Sequence, residues 1–170
     1  PALTIAFAAI GKVAWAQVPV YLAGQFVGAF IGAVLVYIQY MDQFKATESK
    51  EDKLAVFATG PAVRNLGVNF ISEVIGTFVL VFGILGIGDQ NLTNGIGTLF
   101  VGFLIWVIGL SLGGSTGYAI NPARDLGPRI AHALLPIPGK GDSDWSYSWI
   151  PVLGPVVGGV LGALFYVFIV

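Results

Sequence analysis

Residues 117–125 read Gly-Tyr-Ala-Ile-Asn-Pro-Ala-Arg-Asp and interrupt an otherwise apolar part of the chain. The stretch 90–123 contains no Lys, Arg, Asp or Glu. Asn121 followed by Pro122 predicts a helix start, because Asn caps the first turn and Pro lacks an N–H that would be unpaired there anyway. Lipid cannot satisfy the open backbone of such a start, so it is tolerated only inside protein or beside a water-filled cavity. The segment therefore predicts the wall of a pore.

The composition is typical of an integral membrane protein. Hydrophobic residues make up 56% of the chain and charged residues 10%, with a mean hydropathy of +0.85. A soluble domain has about a quarter charged residues. The net charge of −1 and the lack of a basic run predict no nucleic-acid partner. With no cysteine and one histidine, we expect no disulfide, no metal site, no cofactor and no enzyme activity. Because the sequence starts at Pro1 without an initiator Met, we expect it to be a fragment.

Hydropathy divides the chain into apolar segments of two lengths. A spanning helix needs about 20 apolar residues, whereas segments of roughly 10–14 residues are typical of re-entrant half-helices. The prediction is an all-α membrane protein with transmembrane helices at 13–41, 70–88, 96–112 and 148–170, and half-helices at 1–11 and 122–135. The mixed charges of 42–53 predict a solvated loop.

An internal repeat relates the two half-helices and the spans that follow them. Glycines recur at every fourth position after each half-helix, at Gly24, Gly28 and Gly32 and again at Gly154, Gly158 and Gly162. Small residues at this spacing let membrane helices approach closely. Three predicted crossings separate the half-helices, so the two units are inverted relative to each other. Broken helices in inverted repeats mark a permeation or binding site.

These features together resemble the aquaporin or major intrinsic protein family. Its signature is present as Asn121-Pro122-Ala123-Arg124, and Pro1-Ala2 resembles the end of a first Asn-Pro-Ala motif. The resemblance covers the whole chain and implies one partial channel domain over 1–170, built as an aquaporin-like inverted repeat with two re-entrant half-helices. It also implies that the first two transmembrane helices of the fold, and the Asn before Pro1, are missing.

Several positions resemble the glycerol-facilitator (aquaglyceroporin) branch more than the strict water channels. Asp125 and Arg129 match the acidic and basic pair of glycerol facilitators, and Gly109 stands where water channels usually carry a histidine. Pro151 followed by an aliphatic residue also fits the glycerol pattern. Tyr118 departs from it, because glycerol facilitators commonly have Phe at this position.

The resemblance implies a selectivity filter formed by Arg124, Tyr118 and Gly109. An intramembrane Arg is functional by default, since its N–H donors can bind solute oxygens and its charge repels cations. The alternative for Arg124 is a structural ion pair with Asp125. The ring of Tyr118 would cover the C–H edge of a polyol. The lack of a side chain at Gly109 would widen the constriction, and helix packing is the alternative role for this glycine.

Backbone and acidic groups complete the expected site. The family exposes carbonyls in the loop before Asn-Pro-Ala, which correspond to Gly117, Tyr118 and Ala119. Glu73 is a lone acid within a span, and we expect it to accept backbone N–H groups of the re-entrant loop. Asp125 is expected to give similar local support at the helix N-terminus. His132 is expected at the surface, near the end of the second half-helix.

The resemblance predicts a multi-pass channel of the cell membrane that passively conducts glycerol, small polyols and water and assembles as a homotetramer in the lipid bilayer. Two half-helix N-termini meeting in mid-pore would exclude protons. A water-selective channel is the first alternative, disfavoured by Gly109 and Asp125. A secondary transporter is the second, disfavoured because the spans lack another acid for a coupling ion.

The orientation inferred from charge conflicts with that inferred from the resemblance. The positive-inside rule places the basic residues of 42–69 in the cytoplasm. The resemblance instead places this loop outside and the turn 89–95 inside. We follow the resemblance, because equal numbers of acidic and basic residues occupy 42–69.

Overall fold

The computed structural model describes residues 1–90 and 92–170. Within these residues the fold is entirely helical, with a short 3-10 helix at Trp15–Gln17 and no β-strand. The α-helices are α1 (Ala2–Ala9), α2 (Val18–Gln39), α3 (Met41–Ala46), α4 (Lys50–Ala55), α5 (Leu66–Gly88), α6 (Ile96–Leu112), α7 (Pro122–Leu134) and α8 (Ile150–Ile169).

Among the described residues, three helices are long and apolar enough to cross a membrane: Trp15–Gln39, which includes α2, together with α5 and α8. The fourth predicted span, α6, has 17 residues. At 1.5 Å per residue it measures about 25 Å, at the short end of the range for a crossing. The half-helices α1 and α7 have 8 and 13 residues, which is too short to span.

The helix α5 begins at Leu66 rather than at residue 70, because polar residues cap it. Oδ1 of Asn65 accepts a hydrogen bond from Val68 N at 3.2 Å, and Oδ1 of Asn69 accepts one from Asn65 N at 3.0 Å. Apolar periodicity therefore places the start of this helix too late. At its other end, the predicted turn 89–95 includes Asn91, which lies outside the described residues.

The charged region after α2 differs from the expected solvated loop. It contains the two short helices α3 and α4. The side chain of Lys53 is buried, and its Nζ donates to the carbonyl of Pro138 at 2.5 Å. A buried ammonium needs such a hydrogen-bond acceptor. The prediction of full solvation was therefore wrong for this residue, because the chain after α7 folds back over it.

Each half-helix packs against the long helix of the other unit. The helix α1 lies against α8, where a Cβ atom built on Gly159 would be 3.4 Å from Ala2 O. The helix α7 lies against α2, where a Cβ atom on Gly127 would be 2.8 Å from the Cβ of Ala29. This exchange brings the N-termini of both half-helices to one cavity.

Candidate functional site

The backbone before α7 is strained at two non-glycine positions. The φ angles of Tyr118 and Ile120 are 39° and 41°, and that of Gly117 is 76°. A non-glycine residue in this left-handed region costs about 1–3 kcal/mol, so the conformation persists only where the surroundings fix it.

Glu73 fixes this strained segment from the middle of α5. Its side chain is 1% exposed. Oε1 accepts hydrogen bonds from Thr116 Oγ1 at 2.7 Å and from Ala119 N at 3.0 Å. Oε2 accepts one from Ile120 N at 2.8 Å. One carboxylate therefore satisfies three donors of a loop that lipid could not satisfy.

A cavity of about 420 Å³ lies beside this segment. Apolar side chains of α5 and α6 form much of its lining. The rest of the lining comes from the two half-helix starts, the strained loop and Gln25 of α2, and it includes Pro1, Ala2, Thr4, Tyr118, Ala119, Asn121 and Arg124. The cavity therefore combines apolar side chains with hydrogen-bonding groups.

A side chain caps the start of α7 at this cavity. Oδ1 of Asn121 accepts from Ala123 N at 3.0 Å and from Arg124 N at 3.4 Å, so its side chain caps the first turn of α7. The Pro122 that follows is buried. The helix α1 begins at Ala2, directly after Pro1.

Arg124 and Tyr118 line the same cavity. Nη1 of Arg124 donates to the carbonyl of Phe57 at 3.3 Å. Its partner is thus a loop carbonyl, whereas the neighbouring Asp125 binds other residues. The side chain of Tyr118 remains 41% exposed. A guanidinium donor and an aromatic ring are therefore both accessible from one space.

Gly109 lies behind the ring of Tyr118 on α6. A Cβ atom built on Gly109 would be 2.9 Å from Cζ and 3.1 Å from Oη of Tyr118. Both distances are shorter than an ordinary carbon contact of about 3.5–4.0 Å. The missing side chain therefore makes room for the ring, and it affects the cavity through the position of that ring.

A fully buried ion pair anchors α7. Asp125 and Arg129 are both 0% exposed, and Nε of Arg129 donates to Oδ1 of Asp125 at 2.7 Å. The backbone N and Oγ1 of Thr59 each donate to Oδ2 of Asp125 at 2.7 Å. Nη1 of Arg129 also donates to the carbonyl of Ser143 at 2.7 Å. Because both charges are richly hydrogen-bonded, their burial is tolerated.

Side chains also fix the C-terminal end of α7. Nζ of Lys140 donates to the carbonyls of His132, Ala133 and Leu135 at 2.6, 2.7 and 2.6 Å. A cation is favourable at this end of a helix. The expectation that His132 lies at the surface was wrong, since it is 0% exposed and its Nδ1 lies 2.8 Å from Oγ of Ser143. The loop after α7 covers it.

Charged groups of two loops also pair with each other. Arg64 forms a salt bridge with Asp144, and its Cζ lies 5.5 Å from the ring centroid of Tyr147. Burial alone raises the pKa of the Asp144 carboxyl, but hydrogen bonds from Arg64 and Ser146 outweigh it, so the pKa is lowered. Burial lowers the pKa of the Lys140 ammonium.

Over residues 1–90 and 92–170, no cluster of three His, Asp or Glu side chains could hold a metal ion.

Two half-helices that start at one cavity, held between inverted long helices, define a multi-pass membrane channel. The family model described as Major intrinsic protein matches residues 1–166, and the chain belongs to this family. Members of this family are channels and facilitators rather than enzymes.

Curated relatives agree with this assignment. The chain is 61% identical over 166 residues to the "Probable glycerol uptake facilitator protein" of Thermotoga maritima, covering 98% of this chain and 71% of the relative. It is 60% identical over 166 residues to the "Glycerol uptake facilitator protein" of Bacillus subtilis, covering 98% of this chain and 61% of that relative. The chain thus spans about two thirds of the length of these relatives.

A solved structure has the same fold. The X-ray structure of the aquaglyceroporin from Plasmodium falciparum superposes with a TM-score of 0.82 at 32% sequence identity. The superposition covers 97% of this chain and 69% of that chain.

Proposed function

We propose that the complete protein containing this chain is a passive channel for glycerol and related small uncharged solutes, with water as a second permeant. Two relatives at 61% and 60% identity carry the name of glycerol uptake facilitator, and the solved relative is an aquaglyceroporin. The structural observation that carries the proposal is the cavity that Arg124 and Tyr118 both line.

Selectivity arises from matching the two edges of a polyol. Such a solute has one edge of C–H groups and one edge of hydroxyls. The ring of Tyr118 covers the apolar edge, in the position that Gly109 leaves free. Arg124 donates to the hydroxyl oxygens, and the carbonyls of Gly117, Tyr118 and Ala119 accept from the hydroxyl hydrogens. A solute must fit both edges at once to replace its hydration shell.

Proton exclusion arises at the start of the two half-helices. The residues of the two Asn-Pro-Ala motifs in this chain are Pro1, Ala2, Asn121, Pro122 and Ala123. The positive dipole ends of α1 and α7 both point at the cavity and oppose an entering cation. The side-chain amide of Asn121 donates to a passing oxygen and thereby interrupts the chain of waters along which a proton would move.

Glu73 and Asp125 support the pore without binding solute. Glu73 fixes the loop that carries Tyr118, and Asp125 fixes the first turn of α7, which carries Arg124. Both carboxylates are buried and saturated with hydrogen bonds. Transport then needs no cofactor and no energy source, because a fixed binding wall suffices for diffusion down a gradient.

The proposal also includes assembly and orientation. We place 42–69 on the outer side and the 89–95 turn on the inner side, and we expect a homotetramer with one pore in each subunit. Exposed apolar side chains on α2 and α6 would then face lipid or neighbouring subunits. Mixing wild-type subunits with pore-blocked Arg124 variants tests this, since independent pores predict a linear loss of flux. A loss with the fourth power of the wild-type fraction would indicate one shared pathway.

The proposed solute is tested by stopped-flow light scattering on proteoliposomes of the complete protein. We expect rapid re-swelling with glycerol as the osmolyte and none with an impermeant sugar. Water permeability without glycerol permeability would identify a water-selective channel. Glycerol accumulation that depends on a proton or sodium gradient would identify a secondary transporter.

A further inference from the structure

We propose that Gly113 positions the aromatic ring of the filter and so determines which solutes pass. Together with Gly109 of α6 it forms a flat seat at the C-terminal end of this helix, against which the ring of Tyr118 lies. The inference rests on the proposed function, because it refines which residues set the width of that pore.

The seat consists of two glycines one helical turn apart. Residues four apart lie on the same face of a helix. A Cβ atom on Gly113 would be 2.7 Å from Cδ1 and 3.2 Å from Cε1 of Tyr118, near the base of the ring. A Cβ atom on Gly109 would be 2.9 Å from Cζ, near its hydroxyl end. The ring therefore lies along the helix, with one glycine beneath each end.

The backbone of Tyr118 leaves the ring little freedom to retreat. Its φ of 39° is an uncommon conformation, and the next two amides donate to the buried carboxylate of Glu73. The Cα atom of Tyr118 is thus held in place while its side chain rests on α6. A methyl group added beneath the ring would move the ring off the helix and into the cavity that it lines.

The displacement that the ring of Tyr118 would need is large enough to affect glycerol and water differently. A contact at 2.7 Å must lengthen by about 1 Å to reach an ordinary carbon–carbon distance. One methylene more or less in a shaped apolar site changes discrimination by roughly 10–200-fold. Glycerol must contact the ring and Arg124 together, whereas water needs only part of that width. Glycerol flux should therefore fall more than water flux.

The nearest atom to a Cβ on Gly113 is the carbonyl oxygen of Gly109, closer than any atom of the ring. The experiment must therefore separate this backbone contact from the contact with the ring. Gly114 offers a matched control, because a Cβ atom there has no atom within 4 Å among the described residues. Gly113→Ala and Gly114→Ala thus add the same methyl group at adjacent positions, one beneath the ring and one in open space.

The test measures glycerol and water permeability of the complete protein in proteoliposomes. We expect Gly113→Ala to lower the glycerol-to-water ratio about tenfold, and Gly114→Ala to leave it unchanged. In a Tyr118→Ala background the effect of Gly113→Ala should disappear, because the ring that it displaces is gone.

An effect of Gly113→Ala that persists in the Tyr118→Ala background would overturn the inference, since it would assign the damage to the end of α6. The inference would also be overturned if Gly113→Ala prevents folding both in the wild-type protein and in the Tyr118→Ala background. If the wild-type protein conducts water but not glycerol, the proposed function is wrong. The inference then stands or falls on whether Gly113→Ala lowers water flux only when Tyr118 is present.

Discussion

The glycine rows of α2 and α8 have the same spacing but different surroundings. On α8, Cβ atoms added at Gly154 and Gly162 would each be 2.7 Å from atoms of α5, and one at Gly158 would meet the carbonyl of Val74. On α2, Cβ atoms at Gly24, Gly28 and Gly32 would have no atom within 4 Å among the described residues. A glycine row therefore shows that a helix can be approached closely, and not which helix approaches it.

The two half-helices differ in the groups that hold their ends in place. Side chains hold α7 at both ends, through the Asn121 cap, the Asp125–Arg129 pair and Lys140. The end of α1 is closed by backbone groups, since the amides of Gly11 and Lys12 donate to carbonyls of its last turn. The half-helix α7 is thus anchored by charged groups, whereas α1 packs against α5 and α8 mainly through apolar side chains.

The largest effect should follow from breaking the buried anchor of α7. Arg129→Met leaves the carboxylate of Asp125 buried and uncompensated, which costs about 3–5 kcal/mol. Thermal unfolding of the complete protein in detergent measures the loss. Arg64→Met is the matched control, because its pair with Asp144 is partly exposed and worth about 0–1 kcal/mol. Equal losses for the two variants would contradict the difference between buried and surface anchors.

The second test separates the two glycine rows. Gly158→Leu should destabilise the complete protein by about 1–3 kcal/mol or more, because the side chain would overlap the backbone of α5. The inverted repeat makes Gly28 the counterpart of Gly158, so we infer that a helix from outside residues 1–170 packs on it. Gly28→Leu should then be similarly destabilising in the complete protein. A neutral result at Gly28 would show that this row faces lipid.

A smaller effect should follow from removing the cation at the end of α7. Lys140→Met leaves three carbonyls without their shared donor and should cost about 1–2 kcal/mol, again measured by thermal unfolding. Lys12→Met is the control from the other unit, because Lys12 lies 3.8 Å from Asp89 in an exposed ion pair. If Lys12→Met is the more destabilising change, the idea that charged side chains matter more for α7 than for α1 is wrong.

Substitutions in the cavity wall should change stability least, but they should change which solutes pass. Tyr118→Ala should widen the pore and admit polyols longer than glycerol, because this half-exposed ring reaches the cavity. Leu3→Ala changes the wall on the side of α1 and should leave the size limit unchanged. Re-swelling rates for a series of polyols of increasing length measure both. An unchanged limit in Tyr118→Ala would place the constriction elsewhere.

Hydropathy and helix-start signals predict much of this fold, because they are local. The apolar run 96–112 matches α6, and Asn121-Pro122 marks the first residue of α7. Glu73 stands out in the sequence because a lone acid in an apolar span needs donors. The i, i+4 spacing of Asp125 and Arg129 is a local signal for their ion pair.

The remaining anchors could not be predicted, because their partners are distant in sequence. Thr59 binds Asp125, and Lys53 binds the carbonyl of Pro138, across loops whose composition looks merely polar. The burial of His132 likewise depends on the later loop that folds over it. Such contacts follow from tertiary topology, and no period or capping pattern indicates them. The resemblance to a channel family predicts filter roles for Arg124, Tyr118 and Gly109, but it gives no role to Gly113 beneath the ring.

The exchange of half-helices between the units has a consequence for biogenesis. The packing surface of α1 lies on α8, which is the last helix of this chain to be synthesised. At about 5–20 residues per second, translation of the intervening chain takes on the order of ten seconds. During that interval the N-terminal amides of α1 have no finished protein cavity to face, and the bilayer cannot hydrate them. We therefore expect α1 to wait at the membrane surface and to enter only after α8 has been inserted.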